Sequence, residues 1–176
     1  MADQKITELT ELTATPAVTD MLAIADVSVP QTKKITTNTL FGLLAGLDAL
    51  SDHGYHGITL TGRNYGYTAA IGDPVYLDDT AGEFLLADAD LAGAWPARGV
   101  ACNTGNDGDA AIVMVLGVMR HDAWAFTEGQ SLYLSDTGTI SGTAPVGSGD
   151  CVQIIGFALS DDEAFLNFTG VYAEHI

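Results

Sequence analysis

From Tyr65 onward, apolar and polar positions alternate in short runs that break on glycine, asparagine or aspartate roughly every eight to twelve residues, a pattern of short strands joined by tight turns. It predicts strands near 74–78, 83–87, 97–102, 110–118, 131–135, 138–141, 151–159, 164–168 and 170–173. Asn106-Asp107-Gly108, Thr137-Gly138 and Asp161-Asp162 are placed to close three hairpins, since these residue types accept turn geometry at little cost. The alanine-rich stretch 88–98 has room for a helical turn, which Pro96 ends.

The alternation is written twice. IGDPVYLDDTAGEFLLADAD at 71–90 returns in altered form as EGQSLYLSDTGTISGTAPVGSGD at 128–150. Gly72 aligns with Gly129, Tyr76 with Tyr133, Leu77 with Leu134 and Asp79 with Asp136, each 57 residues apart, and Gly99 aligns with Gly156 at the same spacing. Gly117-Val118 then aligns with Gly170-Val171 after a shortening to 53. An offset kept across separate motifs implies an internal duplication of a four-strand unit. The expected fold is therefore mainly β, a compact barrel or sandwich built on that duplication.

Residues 1–50 read differently, as an N-terminal attachment arm with a small hairpin and a short helix. Ile6, Leu9 and Leu12 recur in KITELTELTATP, where threonines and Pro16 disfavour a long helix. β-rich runs at 21–28 and 33–36, parted by Pro30-Gln31-Thr32, signal a hairpin. Thr37 or Asn38 then caps an amphipathic helix with Leu40, Leu43, Leu44 and Leu47 on one face. This segment has little of its own to bury that face against, so docking on the body or on a neighbouring subunit is expected. Residues 51–66 read as a linker that runs into a strand at 58–60, and 67–176 as the duplicated β body.

Composition sharpens this picture. A chain of 176 residues buries roughly 70% of its unfolded surface, enough for a core without staples. Hydrophobic content of 47%, 20 glycines and 16% charged residues fit a turn-rich compact protein and exclude a disordered one. With a net charge of −17 and six basic residues, nucleic acid is not an expected partner, because phosphate binding needs clustered Lys and Arg. Three of those six, Lys5, Lys33 and Lys34, stand in the first 34 residues, so the acidity falls on the rest of the chain. Cys102 and Cys151 occupy different places in the two copies and read as free, partly buried thiols of a protein made in a reducing cytoplasm. MADQKITEL lacks the basic start and apolar run of a secretory signal. The longest apolar stretch, 40–50, is broken by Asp48, so no membrane span is expected.

Candidate chemistry is thin. His53 and His56 have H-x-x-H spacing, but the glycines around them provide no helix to hold two imidazoles on a metal, and loop histidines are the reading taken. NTGNDGD at 103–109 has the look of a calcium loop without its leading Asp or closing Glu, and reads as a hairpin turn. Asp78-Asp79 and Asp161-Asp162-Glu163 also fall at turns; a weak cation site between subunits is the sharper alternative for them. There is no Gly-x-Ser-x-Gly elbow, and Gly54, Gly57, Gly62 and Gly66 are not followed by the Lys-Thr or helix of a phosphate loop. Tyr76, Tyr133, Trp95, Trp124 and Phe126 lie in or beside strands and read as core. No catalytic residue, metal or cofactor is expected.

GDPVYLDDTAGEFLLADAD, PARGVACNTGNDGDAAIVMVLGVMRHDAW, GQSLYLSDTGTISGTAPVGSGDCVQIIGFALS and AFLNF together resemble the capsid decoration proteins of tailed bacteriophages, over about 67–168. KITELTELTATPAVTDMLAIADVSVPQTKKITTNTL is similar to the virion-attachment segment of phage head-fibre and tail-fibre proteins. The resemblance implies a barrel-like body that forms a homotrimer and an arm that binds the major capsid protein, placing the protein on the capsid surface of the virion. Ile6, Leu9, Leu12, Lys33, Lys34 and Leu40 are the expected capsid-docking residues. Two other readings stand beside it. One is a tail-fibre or baseplate subunit holding a cell-surface glycan on Tyr65, Tyr67, Trp95 or Trp124; the other is a hydrolase with an acidic pair at a subunit interface.

Overall fold

The computed structural model describes residues 21–26, 31–36 and 50–175. The chain divides into two compact units, Met1–Ala49 and Leu50–Ile176. In the first, β1 (Met21–Asp26) pairs antiparallel with β2 (Gln31–Thr36), Met21 opposite Thr36 and Asp26 opposite Gln31. That is the hairpin which the two β-rich runs predict. The arm expected at 1–20 and the helix expected at 40–50 lie outside the described residues, apart from Leu50, which is coil.

The second unit is all strand. In chain order it holds β3 (Tyr55–Leu60), β4 (Pro74–Leu77), β5 (Phe84–Leu86), β6 (Gly99–Ala101), β7 (Val113–Arg120), β8 (Ser131–Leu134), β9 (Ile140–Ser141), β10 (Cys151–Val152), β11 (Ile154–Ala158), β12 (Glu163–Asn167) and β13 (Ala173–Glu174). Nine of these form one curled antiparallel sheet, a half-barrel in the order β5-β4-β6-β7-β12-β11-β8-β9, with β3 along β7. β10 and β13 make a separate two-stranded piece. The strand expected at 151–159 is thus interrupted at Gln153, and the last strand, expected at 170–173, is displaced to Ala173–Glu174, since Gly170 takes a left-handed turn with φ of 73°. Residues 51–66, read as a linker, contribute β3, which runs antiparallel to β7 from Tyr55 opposite Met119 to Leu60 opposite Val113.

The strand order is a palindrome, and the palindrome is the duplication. In the first copy β4 pairs with β5 and β6, and β6 with β7; in the second β8 pairs with β9 and β11, and β11 with β12. The copies join where β12 runs antiparallel to β7, Leu166 opposite Gly117. Residues 57 apart do the same local work. Asp73 Oδ2 accepts the Ala70 amide at 2.9 Å, as Gln130 Oε1 accepts that of Thr127 at 3.1 Å. Asp78 Oδ2 receives the amides of Thr80 and Ala81, as Ser135 Oγ receives those of Thr137 and Thr139. Acids and hydroxyls at these places are therefore turn-formers that satisfy backbone donors. The alignment of Gly117 with Gly170 does not survive: Gly117 lies inside β7 and Gly170 beyond the end of β12.

One face of the sheet supplies the core. Met114, Met119, Leu132, Leu134, Ile155 and Leu166 are fully buried in one cluster spanning both copies, and Tyr65, Val75, Phe84 and Val113 in a second. Burying each such side chain contributes roughly 1.5–3 kcal/mol. Of the five aromatics read as core, Tyr76, Trp95, Trp124 and Phe126 pack against the first cluster, whereas Tyr133 is half-buried and belongs to neither cluster.

Candidate functional site

The alternation that fills the core also determines what the other face shows. In β12, Ala164 and Leu166 point inward while Phe165 and Asn167 point outward; in β7, Gly117 and Met119 point inward while Leu116 and Val118 do not. Cross-strand register sets the outward residues in rows, His56–Val118–Phe165–Phe157 and Ile58–Leu116–Asn167. The Phe157 and Phe165 rings lie 5.3 Å apart. Ile58, Ile154, Phe157, Val171 and Tyr172 are all substantially exposed. Between β11, β12 and the C-terminal segment the face dips into a groove of about 630 Å³ lined by Ile154, Phe157, Phe165, Thr169, Val171 and Tyr172. None of these residues carries a formal charge, although Leu50–Ile176 holds 17 acidic and three basic residues. Large contiguous apolar patches are uncommon on soluble proteins, which makes this groove the candidate site.

Of the residues expected to dock, Ile6, Leu9, Leu12 and Leu40 lie outside the described residues. Lys33 and Lys34 lie on β2, opposite Ile24 and Ala23. Among the aromatics expected for a glycan platform, Tyr65 is fully buried, its hydroxyl donating to Asn103 Oδ1 at 2.9 Å, and burial pushes that phenol up to about 12. It is no part of an exposed platform. Tyr67 is half-buried and donates to Asp73 Oδ2 at 3.1 Å; burial and that carboxylate raise its phenol well above the ordinary range. Trp95 packs edge-on to Tyr172 and borders a second hollow of about 310 Å³ with Tyr76, Asp78, Asp79 and Arg98.

The stretch NTGNDGD is a turn. Asp109 Oδ2 accepts the Asn106 amide at 2.8 Å, Gly108 takes φ of 87°, and the Asn103 side chain bonds Ile112 N–H and Ala110 C=O. Asp161-Asp162 closes the β11–β12 hairpin, with Asp162 accepting from Ser160 at 2.7 Å and from Arg120 at 2.7 Å. The signal missed in the sequence is His121: it meets His53, while His56 sits on β3.

Cys102 and Cys151 are both free and buried, and burial pushes both thiols up to about 11. In the folded chain at pH 8 their reaction with a disulfide reagent is expected to be at least ~100-fold slower than after unfolding in urea, from the smaller thiolate fraction alone. Titration of both thiols at the unfolded rate in native protein would show that the core opens around them.

Compared with known proteins, the chain matches no family model, no curated protein and no solved structure.

Proposed function

We propose that this protein is a structural virion protein, a decoration or cement subunit that binds the outside of a phage capsid and stabilises it across capsomers. The observation that carries the reading is the outward apolar face of β3, β7, β11 and β12. Copies of so acidic a body repel one another almost everywhere, and this face, uncharged in its groove and carrying Glu163 opposite Arg120 at one end, is where subunits bury area without bringing carboxylates together. The duplicated half-barrel suits such a part, since its two four-strand units join into one continuous sheet that presents an extended surface. The resemblance of the body to decoration proteins, and of the first forty residues to virion-attachment segments, gives the partners: a second and third copy through the apolar face, and the major capsid protein through Ile6, Leu9, Leu12, Lys33, Lys34 and Leu40. Added area across capsomer boundaries would oppose the outward pressure of packaged DNA by favouring the assembled state. No chemical step is assigned to it.

The test is deletion of residues 1–49. Leu50–Ile176 is a compact unit with its own core, so the truncated protein should keep its β circular dichroism and cooperative melting, yet fail to bind purified phage heads that full-length protein saturates. Saturation of heads by the truncated protein would refute the arm as the attachment piece. Electron microscopy of intact virions, with copy number, separates head from tail. A tail position with glycan-array binding would support the second reading, which the hollow of Tyr76, Asp78, Asp79, Trp95 and Arg98 favours by combining aromatic faces with charged hydrogen-bonding groups.

A further inference from the structure

Two loops meet at one end of β3 and β7. A turn over 51–54, closed by Gly54 N–H to Ser51 C=O at 2.8 Å, leads into β3; a turn over 121–124, closed by Trp124 N–H to His121 C=O at 2.9 Å, follows β7. Tyr55 stands opposite Met119, so continuing the antiparallel register two steps beyond that pair brings His53 level with His121. Their rings meet edge to face with centroids 4.6 Å apart. Asp52 joins them from the same turn: its Oδ1 accepts the Asp122 amide at 2.9 Å, and its Oδ2 lies 3.6 Å from His53 Nδ1, too far for a hydrogen bond. One donor atom from each of Asp52, His53 and His121 falls within 4.8 Å of the others.

We propose that Asp52, His53 and His121 form a binding site for a zinc-class divalent ion, with a fourth position open to water or an outside ligand. This goes beyond the virion reading and does not depend on it.

Two imidazole nitrogens and one carboxylate oxygen suit zinc and its borderline neighbours, whereas calcium and magnesium require oxygen shells. The surroundings are prepared for a cation. The Arg120 guanidinium is engaged by Asp122 at 2.8 Å and Asp162 at 2.7 Å, so the positive charge beside the site is matched by two carboxylates, while Asp52 bonds the Asp122 amide instead. His121 is held by stacking on Trp124, with centroids 5.5 Å apart, and Gly72 leaves space beside the imidazole, since a Cβ there would stand 3.0 Å from His121 Cδ2. His53 sits at φ of 62°, a left-handed conformation that ordinary side chains avoid and that aims its ring across the strand pair. Bonds near 2.0–2.1 Å need donors closer than 4.8 Å, so the rings must swing inward. Asp52 and His53 side chains are 43% and 44% exposed and have the freedom to do so. His121 Nδ1 accepts the Ala123 amide at 3.2 Å, and coordination through that nitrogen exchanges a long hydrogen bond for a metal bond.

Chelator-treated full-length protein without an affinity tag is titrated with zinc chloride by calorimetry and by thermal shift. One ion per chain with micromolar affinity and a raised Tm is expected. His53→Ala, Asp52→Asn and His121→Phe, the last keeping a ring against Trp124, should each weaken binding by about tenfold or more. His56→Ala and His175→Ala should leave it unchanged. Absence of binding by the full chain, or unchanged affinity in the combined His53→Ala, His121→Phe variant, overturns the site. Displacement of zinc by excess calcium or magnesium would also overturn the nitrogen-donor assignment.

Discussion

Gly156→Ala is expected to destabilise the protein by about 3 kcal/mol or more, lowering Tm by roughly 10 °C, because β11 crosses the neighbouring strand with no room for a side chain. A Cβ at Gly156 would run into the carbonyl oxygen of Phe165 and stand 3.0 Å from Leu166 Cα. Both are backbone atoms of β12 and no rotamer change moves them away. Gly99, the same residue in the first copy, faces the same obstacle: its Cβ would meet Val113 Cγ1 and stand 2.8 Å from the Met114 carbonyl oxygen in β7. Gly99→Ala should therefore cost a similar amount, about 3 kcal/mol. Gly129→Ala is the contrast, since φ of 77° is the obstacle there and nothing lies within 4 Å; about 1–2 kcal/mol is expected. Urea denaturation of the three variants checks the ranking. A cost below about 1 kcal/mol at Gly156, or a large gap between Gly99 and Gly156, would mean that the two copies do not share this close approach.

That shared position explains why so much of the body can be read from the chain. A strand of four residues between turn-formers is a local statement, and Asp78 and Ser135 each name the turn that they close. The 57-residue offset is legible because each copy needs the same backbone donors satisfied and the same glycine at the crossing. What a repeat cannot state is how its copies meet. The junction of β7 with β12, and the docking of 55–60 along β7, are pairings between distant segments with no local signature, so a strand placed in a linker gave no sign of joining the central sheet. The same non-locality hid the meeting of His53 and His121. H-x-x-H spacing drew attention to His56, three residues away, while the true neighbour is fixed by the β3–β7 register. Tyr65 is buried and not exposed for a related reason: its hydroxyl needs a buried partner, and Asn103 supplies one from 38 residues away. The outward apolar face is half legible. Alternation tells that one set of strand residues is core, but Phe157 and Phe165 are as apolar as the inward set, and only burial separates the two faces.

Gln153→Leu is expected to cost about 3 kcal/mol even though it replaces a polar side chain by an apolar one of similar size in a fully buried place. The residue stands between β10 and β11, where the strand is interrupted, and its amide closes a two-point contact with the backbone of Ala97. Ala97 N–H donates to Oε1 at 2.8 Å, and Nε2 donates to Ala97 C=O at 2.9 Å. A side chain here takes the part of a neighbouring strand for one residue of the first copy, and so ties the copies together through the core. Leucine would fill the space and leave both Ala97 groups buried and unpaired, at about 1–3 kcal/mol each. Gln153→Glu should be worse near neutral pH. Its carboxylate would still accept from Ala97 N–H but would set an oxygen against Ala97 C=O and carry a buried charge. Burial favours the protonated acid, so that variant's folded pKa lies above its unfolded one. The protonated form regains a donor for Ala97 C=O, and the penalty relative to the natural chain should shrink as pH falls and grow as pH rises through the folded pKa. Urea melts of both variants and the natural chain at pH 5 and pH 7.5 measure this. A loss under about 1 kcal/mol in Gln153→Leu, or a Gln153→Glu penalty that does not change with pH, would show that the Ala97 groups find other partners and that the copies are held by apolar packing alone.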